Sequence, residues 1–250
     1  NNSIDFKPPM GPYGLPYRAG NLGGKAVNSG EGVSADYEEC PIWEWGKVEP
    51  ECKTGLKRNY DSLLSFITFK MRYTDGRLLV TYIKAPQAET LKKEYKIQNS
   101  LPDTPWVNVF AYAANRYVKD GAMWALLDSV VHKKPSTDSS GHLNYIYVYT
   151  KTDQFEYGLQ KYIPDQKWIA QYGYKDTKDL YVFVDKRDSR RITIIYCRNH
   201  YLNQICEQSF IMEPEMRVFV EASFSKNNLK DWMKIQHKAK EMILSFTVKA

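Results

Sequence analysis

The sequence predicts an α+β fold built from antiparallel sheets flanked by helices. In the second half of the chain, short strand-like segments follow one another through charged turns, and short connections favour antiparallel pairing. The C-terminus carries an apolar stripe at helical spacing from about 228 to 246, which is typical of a helix that covers a sheet. Strands and helices do not alternate regularly, so a parallel α/β architecture is not expected.

The first half of the chain begins with a segment rich in Pro and Gly, residues 1–36, which we predict to be extended or looping. From Ser65 apolar and polar residues alternate, and Asp75-Gly76 then precedes a second apolar run to Ile83, which indicates a β-hairpin. The other elements predicted here are a short helix over 88–98, a strand over 106–117 that is equally compatible with a helix over 107–118, and a helix over 121–131.

Five strands are predicted in the second half. The first, 142–150, has apolar or aromatic residues on both faces, which is typical of a central strand. The others cover 180–184, 192–197, 206–212 and 216–224. We expect Asn227 or Asn228 to cap the C-terminal helix.

The domain organisation depends on one polar break at Lys133–Gly141. A boundary there gives an extended N-terminal segment at 1–36, an N-terminal α+β lobe at 37–135 and a C-terminal α+β lobe at 136–250. The two lobes would be loosely similar, each a hairpin sheet with a helix. A chain of 250 residues is also compatible with one continuous domain.

The four cysteines fall into two local pairs, Cys40 with Cys52 and Cys197 with Cys206. Four cysteines allow three connectivities, and pairing within each short, turn-rich loop is favoured because it costs least. Each disulfide would stabilise the fold by roughly 2–3 kcal/mol and would indicate an oxidising compartment, such as a periplasm or the extracellular space. The alternative is four buried free thiols in a cytosolic protein.

The net charge and hydropathy of the chain argue against nucleic-acid binding and against a membrane-spanning helix. The chain carries 35 Lys and Arg against 29 Asp and Glu, a net charge of +6, and its basic pairs are scattered, so nucleic-acid binding is not expected. Its apolar runs are far shorter than the roughly 18–20 residues of a membrane-spanning helix, and its mean hydropathy is −0.55. We expect a soluble chain whose export signal precedes Asn1.

No sequence motif indicates catalysis. The Gly-x-Ser-x-Gly motif of serine hydrolases is absent, and the segment His132–Asp138 departs by one position from the phospholipase D motif. The four histidines are dispersed without the spacing of zinc ligands, so neither a metal nor another cofactor is expected. We predict that the chain is not an enzyme. A hydrolase of unrecognised type stays open, because a pair of catalytic carboxylates leaves no local signature.

Residues suited to protein binding are more numerous. The chain has 19 Tyr and six Trp, and Tyr, Trp and Arg most often anchor protein interfaces. Rings on periodic faces are expected in the core, whereas those in loops are candidates for contact with a partner. The candidate partner-binding residues are Trp43, Trp45, Arg187, Arg190 and Tyr201.

Two regions of the chain resemble periplasmic immunity lipoproteins of bacterial type VI secretion systems. The N-terminal motifs are Asn21-Leu-Gly-Gly-Lys-Ala-Val27, Tyr37-Glu-Glu39 and Tyr60-Asp-Ser-Leu-Leu-Ser-Phe66 leading into Lys70-Met-Arg-Tyr73. The C-terminal motifs are the strands around Leu180–Asp185 and Cys197, the loop to Cys206, the strands at Phe210 and Val218–Phe224, and the helix Leu229-x-x-Trp232-x-x-Ile235. Together they cover about half of the chain, and residues 85–175 lie outside the resemblance.

The resemblance implies an immunity protein that binds a cognate toxic effector, often a phospholipase, and inhibits it sterically in the periplasm. It also implies a lipid anchor on a cysteine that would precede Asn1. This anchor would be the protein's contact with the membrane. The alternative function is that of another exported, envelope-associated module that binds proteins.

Overall fold

The computed structural model describes residues 6–39, 58–117, 121–132, 137–141 and 148–249, with the backbone of 42–43 and 47–48. Ten of the described strands form one antiparallel sheet, which confirms the predicted α+β class. They are β3 (Val33–Tyr37), β6 (Leu64–Arg72), β7 (Arg77–Leu78), β8 (Trp106–Tyr112), β9 (Tyr149–Glu156), β10 (Leu159–Pro164), β11 (Lys178–Val184), β12 (Ile192–Arg198), β13 (Ile205–Ile211) and β14 (Phe219–Ser225). Two small hairpins pair β1 (Arg18–Leu22) with β2 (Lys25–Ser29) and β4 (Ile42–Trp43) with β5 (Lys47–Val48).

The strand order in the large sheet is β3-β6-β8-β14-β13-β12-β11-β10-β9, and β7 pairs with the end of β6. The run from β9 to β14 follows the chain order, as expected for strands joined by short turns. The pair β8 and β14 instead joins strands more than 100 residues apart, in the register Ala111↔Val220. This pairing makes one continuous sheet from both halves of the chain. The predicted boundary between 135 and 136 lies outside the described residues and stays a prediction.

One face of the sheet is covered by the C-terminal helix α4 (Trp232–Ser245) and by the β1–β2 hairpin. The helix buries Trp232, Ile235, Ala239 and Ile243 at the predicted helical spacing. The strand residues of this core layer are the inward members of each alternation. Listed from β6 to β12, they are Ile67, Phe69, Met71, Val107, Val109, Ala111, Val220, Ala222, Phe224, Phe210 and Ile195. This layer is the main core of the protein.

On the opposite face, the described helices cover only part of the sheet. Helix α2 (Ala122–Val131) buries Met123, Leu127 and Val130 against the strands β9 to β12. Helix α1 (Pro86–Gln98) packs Leu91 against Trp106 near the other end of the sheet. A seven-residue helix, α3 (Gln166–Tyr172), follows β10. None of the described helices is both long and apolar enough to cross a membrane.

Several sequence-based predictions are corrected by the structure. The N-terminal segment predicted to be extended or looping holds the strands β1, β2 and most of β3, and Gly23 and Gly24, with positive φ angles of 58° and 92°, close a two-residue turn between β1 and β2. The hairpin after β6 forms at Gly76, with φ of 72°, but its second strand is only two residues long. Of the predicted central strand 142–150, residues 142–147 lie outside the described part. Tyr149 begins β9, which ends the described strand order.

The predicted cap of the C-terminal helix is also wrong. A 3-10 helix, Lys226–Asp231, precedes α4, and the Ser225 hydroxyl caps it by accepting a hydrogen bond from the Asn227 backbone N–H. The Asn228 side chain instead donates to the carbonyls of Asp103 and Thr104. These two asparagines therefore act in tertiary contacts, which single-sequence capping rules do not anticipate.

We expect Ile235→Ala to lower the free energy of unfolding by about 2–4 kcal/mol, because it leaves a cavity in the main core. Ile235 is 0% exposed, whereas its neighbour Met233 is 56% exposed on the same helix. Met233→Ala is the matched control and should change stability by less than about 0.5 kcal/mol. Urea unfolding measures both, and equal effects of the two substitutions would contradict the placement of α4.

Candidate binding face

The part of the sheet left open by α1 and α2 is the candidate functional site, and we call it the open face. It consists of the side chains on strands β6, β8, β14 and β13 that point away from α4. They are Phe66, Thr68, Lys70, Asn108, Phe110, Tyr112, Glu207, Ser209, Glu221 and Ser223, all partly or fully exposed. Since successive side chains of a strand alternate between faces, the same alternation that builds the core sets these residues on one surface.

The first wall of the open face is helix α1, held by residues of β6 and β8. Arg72 forms ion pairs with Asp75 at 2.6 Å and with Glu94 of α1 at 2.8 Å. The Trp106 indole N–H donates to Gln98 at 2.9 Å, and Lys70 donates to the Tyr95 hydroxyl at 2.8 Å. These contacts to Glu94, Tyr95 and Gln98 hold the C-terminal half of α1 beside the sheet.

The loop from α1 to β8, residues 99–105, continues this wall and is fastened by the start of the C-terminal helical region. The side chains of Ser225 and Asn227 donate to the Pro102 carbonyl. Asn228, which is 4% exposed, donates to the Asp103 and Thr104 carbonyls at 3.2 and 2.9 Å. The loop thus has its backbone acceptors satisfied by side chains and is held in one position.

The second wall is the β12–β13 loop, closed by a disulfide. Cys197 and Cys206 are paired in register and form the bond, as predicted. The other predicted pair, Cys40 and Cys52, lies outside the described residues. At the base of the loop, Asn199 donates to the buried Asp179 carboxylate at 3.1 Å, and Asp179 also accepts from the Tyr174 hydroxyl at 2.6 Å. These contacts restrain the loop at both of its ends.

Between the two walls lies a groove of about 550 Å³, which we call the rim groove. Asn108 and Ser223 form its floor, and Leu101 lies on the first wall. On the second wall Tyr201 and Leu202 are 69% and 76% exposed. Large apolar side chains held exposed on a restrained loop favour protein binding, because little conformational entropy remains to be lost. A second recess of about 540 Å³ lies between α1 and the sheet and shares Asn108 with the rim groove.

The two carboxylates of the open face, Glu207 and Glu221, lie on the neighbouring strands β13 and β14. Burial and the nearby Glu207 carboxylate raise the pKa of Glu221 above its usual range. Burial and the Glu221 carboxylate raise the pKa of Tyr112. Glu207 itself lies 3.7 Å from Lys178. The rings of Phe110 and Tyr112 stack beside these carboxylates, with centroids 6.0 Å apart.

The candidate residues from the sequence do not form one site. Tyr201 lies on the rim groove, while Arg187 and Arg190 lie in the exposed β11–β12 turn, at the opposite end of the seven-residue β12. Arg190 forms an ion pair with Asp188 at 3.0 Å. Trp43 is described only as backbone in β4, and Trp45 lies outside the described residues.

Sequence reasoning missed the acidic and aromatic residues of the open face. Glu207 and Glu221 alternate with buried residues in their strands, a pattern that normally indicates a solvated face. Only the tertiary positions of α1, of residues 99–105 and of the β12–β13 loop show that this stretch is recessed. Within the described residues, no group of three or more His, Cys, Asp or Glu side chains is placed to hold a metal ion. The open face is suited to binding a protein partner through complementary shape, apolar contacts and charge.

Replacing both Cys197 and Cys206 with alanine should lower the free energy of unfolding by about 2–3 kcal/mol, because the unfolded chain regains the entropy of the open loop. Guanidinium unfolding measures the loss. Hydrogen exchange should show the loss of protection concentrated in residues 198–206. An unchanged unfolding midpoint would contradict the structural role of this disulfide.

Asn228→Ala should destabilise the protein by about 1–3 kcal/mol, since two carbonyls of the α1–β8 loop lose their donor. Faster hydrogen exchange in residues 99–105 should accompany the loss. Asn227→Ala is the matched control, because the Pro102 carbonyl keeps the Ser225 hydroxyl as a second donor. If Asn227→Ala destabilises as much as Asn228→Ala, the loop is not held in the way described.

Comparisons with known proteins bear on the fold. No family model matches the sequence, and a search of curated proteins finds no match. The structure is similar to that of Smlt3025, an immunity protein of the Stenotrophomonas maltophilia type IV secretion system, with a TM-score of 0.52 and 13% identity over 96% of this chain and 99% of that one. It also matches FrpD, an iron-regulated outer membrane lipoprotein of Neisseria meningitidis, with a TM-score of 0.44 and 12% identity over 98% of each chain. At such identities the likeness to Smlt3025 concerns the fold, and the lower score for FrpD carries no argument.

Proposed function

We propose that this chain is an immunity protein that binds a cognate toxic effector and inhibits it sterically. The observation that carries the proposal is the open face with its rim groove, which exposes apolar side chains on two restrained loops. The fold similarity to Smlt3025, whose name gives it as an immunity protein, supports the same class of function. The proposed mechanism requires no catalytic step.

The finer part of the proposal concerns the system and the target. The motifs at 21–27, 60–73 and 180–235 resemble immunity lipoproteins of type VI secretion systems, and the cognate effector is proposed to be a phospholipase. The name of Smlt3025 specifies a type IV system instead, so the identity of the effector is the direct test of this part. The Cys197–Cys206 disulfide favours an oxidising compartment, which supports a periplasmic location with or without a lipid anchor.

Rigidity of the binding surface is what steric inhibition needs. Association loses translational and rotational freedom, and any loop that must be ordered on binding subtracts further from affinity. Here one wall is closed by a disulfide and the other is held by Ser225, Asn227 and Asn228. A partner that docks on the open face therefore meets a surface already in its bound shape, as in most tight inhibitor complexes.

The test is co-purification of the tagged protein with the product of the adjacent gene, scored together with rescue of cells from the toxicity of that product. We expect a stoichiometric complex and full rescue. The double substitution Tyr201→Ala with Leu202→Ala should weaken binding about 10- to 100-fold, because both exposed rim side chains are removed. Isothermal titration calorimetry measures the change.

Met233→Ala, on the opposite side of the molecule, is the matched control and should bind like the wild type. The absence of any complex would contradict the proposal of an immunity protein. The function of an envelope-associated binding module would then be favoured. A complex that is insensitive to the rim substitutions would keep the immunity role but would place the interface away from the rim groove.

A further inference from the structure

We propose that the open face binds a basic side chain of the effector, an arginine or lysine that lies over Phe110 and Tyr112 and pairs with the Glu221 carboxylate. This inference rests on the proposed function and deepens it by naming the chemistry of the contact. The occupant is an extended segment of the effector in which apolar residues flank the basic one.

The first reason is the electrostatic environment of Glu221. Its carboxylate is partly buried, and no described group donates a hydrogen bond to it or forms an ion pair with it. The charge that acts on it is the like charge of Glu207, on the neighbouring strand β13. A partly desolvated carboxylate beside another carboxylate is an unfavourable arrangement, and a cation from a partner would convert it into a favourable one.

The second reason is that the described cations around the open face already have partners. Lys70 donates to the Tyr95 hydroxyl, and Lys178 lies beside Glu207. The Arg116 guanidinium lies 5.0 Å from the centre of the Phe66 ring. None of these described cations forms an ion pair with Glu221, so its carboxylate has no cationic partner within the described part of the chain.

The third reason is the aromatic surface next to Glu221. The Glu221 position pairs with Phe110 across β14 and β8, and the Phe110 and Tyr112 rings are nearly parallel, with an interplanar angle of 11°. Ring faces attract cations, and the planar guanidinium of arginine stacks on them while its N–H groups bind a carboxylate. The Arg116 contact with Phe66 shows that this surface accepts a guanidinium from its own chain.

Geometry links this position to the rim groove. Ser223 lies on the floor of the groove and pairs with Glu207 across the strands. Glu221 is two residues further along β14, a distance of about 7 Å, which is within the length of an arginine side chain. A segment whose apolar side chains contact Tyr201 and Leu202 would therefore reach Glu221 with a basic residue.

Calorimetry and stopped-flow binding with the purified product of the adjacent gene test this inference. Glu221→Gln should weaken binding about 10- to 100-fold. The whole chain has a net charge of +6, so the contact gives no long-range attraction and the change should appear in the dissociation rate. Glu241→Gln, on the exposed side of α4, is the matched control and should have no effect. An unchanged affinity of Glu221→Gln would overturn the inference while leaving the immunity role intact.

If that product does not bind the wild type, the proposed function fails, and a small probe decides the inference separately. Titration with N-acetyl-arginine amide, followed by NMR, should shift the ring signals of Phe110 and Tyr112 in the wild type and leave them unchanged in Glu221→Gln. The neutral isostere N-acetyl-citrulline amide should shift them in neither protein. In that case, equal shifts with both probes, or shifts with neither, would overturn the inference.

Discussion

The pairing of β8 with β14 is the interaction on which the rest of the structure depends. It closes a long loop in the chain, and its entropic cost is repaid by the apolar layer that the continuous sheet shares with α4. Ala111 and Val220 face each other in that layer, and both are fully buried. The same pairing also brings Phe110 beside Glu221 on the opposite surface, so core and candidate site are two faces of one strand pair.

The asymmetry between the two faces explains where a binding surface is available. One face carries the amphipathic helix α4 and a hairpin, whereas among the described elements the other face is covered by α1 near one end and by α2 near the other. The region between them is recessed, with one groove between the α1–β8 loop and the β12–β13 loop and a second recess beside α1. Concave surfaces with restrained rims and a few convergent polar groups are the usual sites of recognition, and exposure of apolar rim residues suits a protein partner better than a small molecule.

The first wall of this region, α1 and the loop that follows it, is held by polar side chains from other elements of the sheet and from the start of the C-terminal helical region. Arg72 pairs with Glu94, the Trp106 indole N–H donates to Gln98, and Asn228 donates to the Thr104 carbonyl. Such contacts contribute modestly to stability but are costly to leave unmade. They fix the position of a wall more strongly than they stabilise the whole fold, which is the property that a steric inhibitor requires.

Features of the fold that depend on local information could be predicted from the sequence. Alternation with period two placed most strands, the stripe from Trp232 to Ile243 defined the C-terminal helix, and the short loop between Cys197 and Cys206 indicated their disulfide, because each signal lies within a few turns of chain. The order of the strands, the partners of Asn228 and the set of alternating polar residues that line a recess became known only from the folded structure, because they depend on contacts between distant parts of the chain. Glu207 and Glu221 resemble ordinary solvated strand residues in the sequence, since a period-two pattern gives the side of a strand but not what lies opposite that side.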